Sequence, residues 1–488
     1  MAVDLSVGAG GSLVVPEGKT REYKLDLSSP EKVMRAVVAF ANSAGGQVVI
    51  GVDDNRRVVG VADPLTEEAR LANLIADWVE PRLVPAIELA TVDGKTVIVA
   101  DVALSGRRPH FIAKEGIESG VYVRLGSSNR QADPGLIAEL ERGAHGEFFD
   151  QMLVPRMTVD DLDQEALANM LGRPVDESAL RTLSLVDVDQ GRLVPTNGGV
   201  LLVGKFREQV FPFAWAQCGR FRGDERIDIF DQIEVHDHLP LVADKVMAFL
   251  MKHAFKSAEF GQVRRRDVWS IPVAPLREIV INALVHARYA GSGSPIRVAF
   301  MDDRIEVDSP GGLLPGLTVD DIINGVSEIR NPVLARVFSE MSLMEQWGSG
   351  LRGVVQALAD DGLPAPEFVE LPGRLRVVVH IKNHRPSIDA NPGTTRGASE
   401  HVSEHVSEHV DVGTHAGIIL AAADDVPMRR DELLAQAGLT NAYGNYQRNI
   451  VPLVRAGYLV MTEPDRPRST TQRYRLTDKG RDYLAKSS

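Results

Sequence analysis

The chain has 488 residues, of which 44% are hydrophobic, 25% charged and 6% aromatic, and its formal net charge is −13. That length predicts about three or four domains, and the composition excludes the disordered, collagenous and membrane-spanning classes. A lone cysteine, Cys218, excludes an internal disulfide. No apolar run approaches the roughly 18 residues of a membrane span. Met1-Ala2-Val3-Asp4 lacks the basic and then apolar layout of a signal peptide, so a cytoplasmic protein without membrane contact is expected.

The charge is unevenly placed. Residues 426–488 carry 11 Lys/Arg against 6 Asp/Glu, a net of +5, which leaves −18 on the remaining 425 residues. A basic tail on an acidic body is the pattern of one nucleic-acid module joined to something else.

Taken in order, the elements predict a multidomain α+β fold. In the first region, to about residue 134, Pro30–Asn42 has helical spacing, with Val33, Val37, Val38 and Ala41 near one face. Residues 47–52 read as a buried strand after the Gly45-Gly46 turn, and 96–102 and 120–125 as further strands. Residues 135–270 form a connecting α/β region with a helix near 160–170 and a strand-like run at 199–203. The third region, 271–383, opens with a long helix and continues with strands at 296–300, 304–307 and 375–381. Its last strand alternates Leu375, Val377, Val379 and Ile381, as a half-buried strand does. Residues 384–410 are a linker, marked by Pro386, Pro392, Gly393 and Gly397 and by three copies of Ser-Glu-His-Val. Residues 411–488 predict three helices and then a hairpin. His401, His405 and His409 of the repeat read as part of the linker, or of a short amphipathic helix edged by Val402, Val406 and Val410, before they read as a metal site.

Gly199-Val-Leu-Leu-Val-Gly204-Lys205-Phe206 nearly satisfies the phosphate-loop pattern. Phe206 offers no hydroxyl to Mg²⁺, and the four apolar residues between the glycines predict a buried strand in place of a loop of free amides. A better site begins at Glu278, Asn282 and His286, at i, i+4 and i+8 on one helix face. A carboxylate and an amide one turn apart can position a water and hold Mg²⁺ between phosphate oxygens. A merely solvated polar face has the same spacing. Downstream, Asp308-Ser-Pro-Gly311-Gly312 and Trp347-Gly348-Ser349-Gly350-Leu-Arg-Gly353 supply glycines that let backbone amides approach a phosphate. The second group is expected to open a helix, and Asp308 to accept from an adenine amino group.

Residues 271–382 resemble the divergent ATPase domain, related to the gyrase, Hsp90 and histidine-kinase fold, of a family of bacterial transcriptional regulators. The resemblance rests on Glu278-x3-Asn282-Ala-x2-His286, Ile305-Glu306-Val307-Asp308-Ser-Pro-Gly-Gly, Ile329-Arg330-Asn331-Pro332 and Glu345-x-Trp-Gly-Ser-Gly-Leu. It implies ATP and Mg²⁺ as cofactors, with Asn282 holding the metal, Glu278 positioning water, Asp308 reading adenine, and His286, Gly311, Gly312, Gly348, Gly350 and Gly353 around the nucleotide. Ser309-Pro310 stands where the general fold's glycine lid would start.

Residues 12–134 resemble the Schlafen-type AlbA_2 domain through Glu17-x4-Glu22-Tyr23-Lys24, Phe40-Ala41-Asn42-Ser43-Ala44-Gly45-Gly46, Gly51-Val52-Asp53-Asp54 and Val123-Arg124-Leu-Gly126-Ser127-Ser128. This implies nucleic-acid binding, RNA included, and in the nuclease branch a divalent-metal site at Glu17, Glu22 and Asp53. Three converging carboxylates need a cation to coexist. The alternative is that Glu22 pairs with Lys24 or Arg21 and that Asp53-Asp54 makes a turn.

The tail reads as a winged helix. Asn445, Gln447, Arg448 and Asn449 lie on its third helix, and Arg466, Arg468 and Arg473 on or beside the wing, as double-stranded DNA contacts. A protein-binding winged helix would share the fold. The sequence thus points to an ATP-binding, DNA-binding transcriptional regulator acting as a homodimer or higher homo-oligomer. The alternative is a Schlafen-like Mg/Mn-dependent nuclease on RNA or DNA.

Overall fold

The computed structural model describes residues 3–8, 10–260, 265–344, 350–381, 415–424, 426–439, 446, 449–455, 457–462 and 472–487. The chain divides into two compact units, Met1–Ile388 and Asp389–Ser488. No helix among the described residues is long and apolar enough to cross a membrane.

The first unit begins with β1 (Arg21–Lys24), α1 (Pro30–Asn42), β2 (Gly46–Ile50), α2 (Pro64–Trp78), β3 (Ala86–Val92) and β4 (Lys95–Val102). Pro30 starts α1 where its missing N–H costs nothing. The sheet order is β1-β2-β4-β3, with β1 and β2 parallel and the other pairs antiparallel. Residue alternation sends Val48, Ile50, Ile98 and Ala100 to the helix-covered face with Val33, Val37 and Phe40. Tyr23, Val49, Val97 and Val99 pack on the other face with Leu13, Val52 and Val58. Both faces are therefore covered, which explains the unbroken apolar runs. A hairpin, β5 (Tyr122–Leu125) and β6 (Ser128–Gln131), leads to α3 (Pro134–His145), whose first turn is capped by Asp133 Oδ1 accepting from Leu136 N at 2.8 Å.

Further on come α4 (Asn197–Val203), β7 (Ala216–Arg222), β8 (Asp228–Val235), α5 (Leu239–His253), α6 (Val273–Val285), β9 (Ile296–Phe300), β10 (Arg304–Pro310), α7 (Pro332–Glu340), α8 (Gly350–Asp360), β11 (Glu367–Leu371) and β12 (Arg374–His380). They build a six-stranded sheet of order β8-β7-β9-β10-β12-β11. Only β7 and β9 pair in parallel. This sheet runs across the expected boundary between residues 270 and 271. β7 and β8 belong to it, and one core joins Leu201, Val242 and Leu250 to Ile279, Val280, Val298 and Val379. The apolar sides of α5 and α6 share one sheet face, so neither region has a complete core alone.

The run 199–203 is corrected. It is the buried helix α4, whose N-cap Thr196 accepts from Gly199 N through Oγ1 at 3.0 Å. A short, wholly apolar run carries no periodicity, so strand and helix are indistinguishable in it. The two parts of this unit are tied together by Arg288, whose Nη1 and Nη2 each donate to Asp133 at 2.9 Å, by Lys19 on Glu370 at 2.6 Å, and by Gly316 N on Ser43 O at 2.6 Å.

The second unit contains α9 (Ala416–Ala422), α10 (Arg430–Gln436), α11 (Val451–Arg455), β13 (Leu459–Met461), β14 (Tyr474–Leu476) and α12 (Asp478–Ser487). The antiparallel β13–β14 pair was expected; α12 was not. Thr477 marks its start, its Oγ1 accepting from Gly480 N at 3.1 Å, a cap that was readable in the sequence. Ile419, Leu420, Leu433, Leu434, Ile450, Leu453, Leu459 and Leu476 form its core. The linker repeat and its three histidines lie outside the described residues.

Candidate functional site

Helix α6 carries Glu278 and Asn282 one turn apart, and the Asn282 amide donates to Glu278 Oε1 at 3.1 Å. His286 caps the same helix, its N–H donating to Asn282 O at 2.9 Å. All three line a cleft of about 1070 Å³, counted out to its mouth. Val307 and Ser309 of β10 and Leu375 and Val377 of β12 form its floor, and Gly312, Leu313, Leu314 and Leu317 one wall. Burial, with the Arg330 charge nearby, pushes the His286 imidazole down to about 4, so the ring is neutral near pH 7.

The opposite wall includes Gly350 and Leu351, at the start of α8. A side chain at Gly350 would collide with the Glu278 carboxylate, so the helix opening lies directly against that acid. The first described residues of α8, Gly350 and Leu351, therefore lie at the cleft beside Glu278. Gly353 is exposed on α8 and outside the cleft lining, and Gly348 lies outside the described residues. Gly311 has φ +92°, and a Cβ there would meet the Cβ of Arg288 and Nη1 of Arg330. Only glycine fits that position.

Sequence reasoning assigned no role to three side chains that hold the cleft together. Asn331 is buried, and its Nδ2 donates to Val285 O at 2.7 Å and Ala287 O at 2.8 Å, closing the carbonyl end of α6. Arg330 donates through Nε to Glu139 at 2.6 Å, through Nη2 to Gly312 O at 2.8 Å, and through Nη1 to His286 O. Asp150 accepts from Val333 N at 2.6 Å and Leu334 N at 3.1 Å, capping α7 from a distance of 183 residues in sequence. Its burial pushes the carboxyl up to about 7, against those two hydrogen bonds. The Asn-Pro step at 331–332 was a readable helix-start signal; nothing local marked Asp150.

Asp308 is not in the cleft. Along β10 the side chains alternate, so Val307 and Ser309 face α6 while Glu306 and Asp308 face away. Asp308 there takes hydrogen bonds from Arg376 Nε at 2.7 Å and Arg226 Nη1 at 3.0 Å. Its burial favours the neutral acid, but the hydrogen bonds and charges of Arg376 and Arg226 hold the carboxyl below its ordinary range. The position that presents a polar group to the cleft is Ser309.

The three N-terminal carboxylates are not brought together. Glu17 Oε1 accepts from Tyr23 N at 2.8 Å. Glu22, buried, pairs with Arg124 at 2.5 Å and with Lys24, and the Arg124 guanidinium lies 5.1 Å from the Phe40 ring centroid. Asp53 Oδ1 accepts from Asn55 N at 2.9 Å and Arg57 N at 2.8 Å, closing the turn after β2. Among the described residues no group of three His, Cys, Asp or Glu is placed to hold a metal ion. The contacts these three carboxylates make are those of the pairing and turn alternative.

Of the expected DNA contacts, Asn449 and Arg473 are described. Arg473 Nη1 donates to Pro427 O at 3.2 Å at the base of the hairpin. Asn445, Gln447, Arg448, Arg466 and Arg468 lie outside the described residues.

The architecture is that of an α+β nucleic-acid-type domain followed by an ATPase-like one, and three family models match it piecewise. "Schlafen, AlbA_2" covers residues 17–133, "Putative ATP-dependent DNA helicase recG C-terminal" covers 293–379, and "Filamentation induced by cAMP protein Fic-like, C-terminal domain" covers 417–477. The chain thus carries a Schlafen AlbA_2-type domain and, further on, an ATPase-like domain of the RecG C-terminal type. The second match starts after α6, so Glu278 and Asn282 reach this site by packing from outside it. Among solved structures, the chain is similar to the N-terminal domain of a "Putative ATP-dependent DNA Helicase RecG-related Protein" from Nitrosomonas europaea. That similarity is 32% identity over 24% of this chain and 86% of the other, with a TM-score of 0.20. It is also similar to a protein of Corynebacterium diphtheriae, 19% identical over 78% of this chain and 79% of the other, with a TM-score of 0.40. No curated protein matches.

Proposed function

We propose that the protein is a nucleotide-controlled, DNA-binding transcriptional regulator. ATP occupies the cleft beside α6, and the C-terminal unit is a winged helix that binds double-stranded DNA. The observation that carries this reading is the meeting of Glu278, Asn282 and the first described residues of α8 at one apolar-floored cleft. Asn282 would hold Mg²⁺, Glu278 would orient water, the first amides of α8 and the glycines at 311–312 would face phosphates, and Ser309 would meet the adenine side. Mg²⁺ supplies charge neutralisation between phosphate oxygens. The name of the matching RecG C-terminal model fits a DNA-associated role, as does the +5 charge of residues 426–488.

Nucleotide acts by favouring one arrangement of the domains, which requires unequal affinity for the two arrangements. A homodimer would read two half-sites. The AlbA_2 domain adds a second nucleic-acid surface, RNA included, that binds without cleaving, because Glu17, Glu22 and Asp53 are spent on structural contacts. Gel-shift titration of duplex DNA by the full chain, with and without ATP and Mg²⁺, tests the proposal. Binding should be lost on deleting residues 411–488 and should lose its ATP dependence in Asn282→Ala. Unchanged DNA affinity in the deletion overturns it.

A further inference from the structure

A second cleft, of about 1010 Å³ counted out to its mouth, lies where the AlbA_2 domain meets α3 and the chain that follows α6. Arg108, from the loop after β4, reaches into it. Arg142 and Phe149 come from the end of α3 and just beyond, and Tyr289 and Glu328 from the ATPase-like part.

The surroundings of Arg108 are unusual. Its Nε and Nη1 are buried and have no acceptor, and among the described residues no carboxylate lies within ion-pair distance of it. Guanidinium N–H groups buried without an acceptor are costly, so a half-buried group like this one is retained where something else supplies the counter-charge. Neighbouring acids do not supply it. Glu139 is committed to Arg330 at 2.6 Å, and Glu147 and Glu328 are exposed, Glu328 acting on Arg108 only as a more distant charge. The carbonyl end of α3 lies close, since a side chain at Gly143 would come to 3.9 Å from Arg108 Nη2, but a helix terminus offers only about half a charge. Arg142 adds a second guanidinium, 5.5 Å from the Phe149 ring centroid and with no carboxylate partner among the described residues.

We propose that this cleft is a binding site for a small phosphate-bearing ligand, with Arg108 as its main anion contact and Arg142 as the second. A guanidinium's fork of donors matches phosphate oxygens. Phe149 and Tyr289 offer apolar surface to the rest of such a ligand. The site is separate from the nucleotide cleft, although Glu328 and Arg330 line both.

Inorganic phosphate is the probe, titrated into the full-length protein at constant ionic strength and followed by thermal unfolding and by calorimetry. The wild type should show a saturable rise in Tm. Arg108→Gln should weaken the apparent affinity at least tenfold and Arg142→Gln severalfold, while Asn282→Ala, in the other cleft, should leave it unchanged. Equal response of the wild type and Arg108→Gln overturns the proposal, as does no response in the wild type. Loss in Asn282→Ala alone would place the phosphate in the nucleotide cleft and overturn it equally. Should Arg108→Gln fail to fold, Arg142→Gln decides, since an unweakened affinity there is incompatible with the site. The failure of nucleotide binding would leave this test untouched.

Discussion

Asp308 and Ser309, adjacent on β10, face opposite sides of the six-stranded sheet. The Ser309 position lines the cleft beside α6, and the Asp308 carboxylate is held between Arg226 and Arg376 behind it. The carboxylate therefore secures the sheet, and the serine belongs to the cleft wall. Asp308→Asn should lower stability by about 3 kcal/mol, because it leaves two half-buried arginines with less charge to answer them. Nucleotide affinity should stay within about threefold, and Ser309→Leu should reverse that pattern. Chemical denaturation beside nucleotide titration separates the two.

Gly350 is the second test of the cleft. A methyl group there would push the Glu278 carboxylate off its present position and leave α8 intact. Gly350→Ala should stabilise α8 slightly, by up to about 1 kcal/mol. Any ATP hydrolysis should fall at least tenfold, with binding less affected. An unchanged turnover would show that Glu278 takes no part in positioning water.

Asn331 donates to two carbonyls at and just beyond the end of α6. Asn331→Ala should cost about 2–3 kcal/mol. The loss should appear as a fall in Tm of the first unit alone, the Tyr474–Leu476 hairpin unit melting as before.

Two titratable groups give opposite pH dependences. Asp150, raised to about 7 by burial, contributes stability that is complete below its unfolded value and lost as pH rises through 7. His286, lowered to about 4 by burial, contributes stability that is present above 6.5 and lost as pH falls towards 4. Each is worth up to roughly 3–4 kcal/mol at its limit. Asp150→Asn should therefore show stability that climbs steadily from pH 4 to 7, and His286→Asn stability that declines over the same range. Denaturant midpoints measured across that interval check both slopes.

Glu22 gives the sharpest test of the nuclease alternative. Glu22→Gln leaves Arg124 buried with only part of its partners, so about 3 kcal/mol of stability should go. Labelled RNA and DNA incubated with Mn²⁺ should stay intact with both proteins. Cleavage by the wild type that disappears in the variant would restore the alternative.

Local chemistry made some of this protein legible without coordinates. Pro30 and the Gly45-Gly46 turn bracket α1, and the 3.6-residue spacing fills the space between them. The i, i+4 relation of Glu278 and Asn282 put them on one helix face. Those features depend on neighbours within a turn or two. Other outcomes needed the whole fold. Alternation says that Asp308 and Ser309 part company but not which sheet face the helices cover. The apolar run at 199–203 became a helix because a core closed around it. β7 joined β9 across some 80 residues, and Asp150 capped a helix 183 residues away. The carboxylates at 17, 22 and 53 found separate donors, since which partner reaches a charge first is settled by packing and not by spacing.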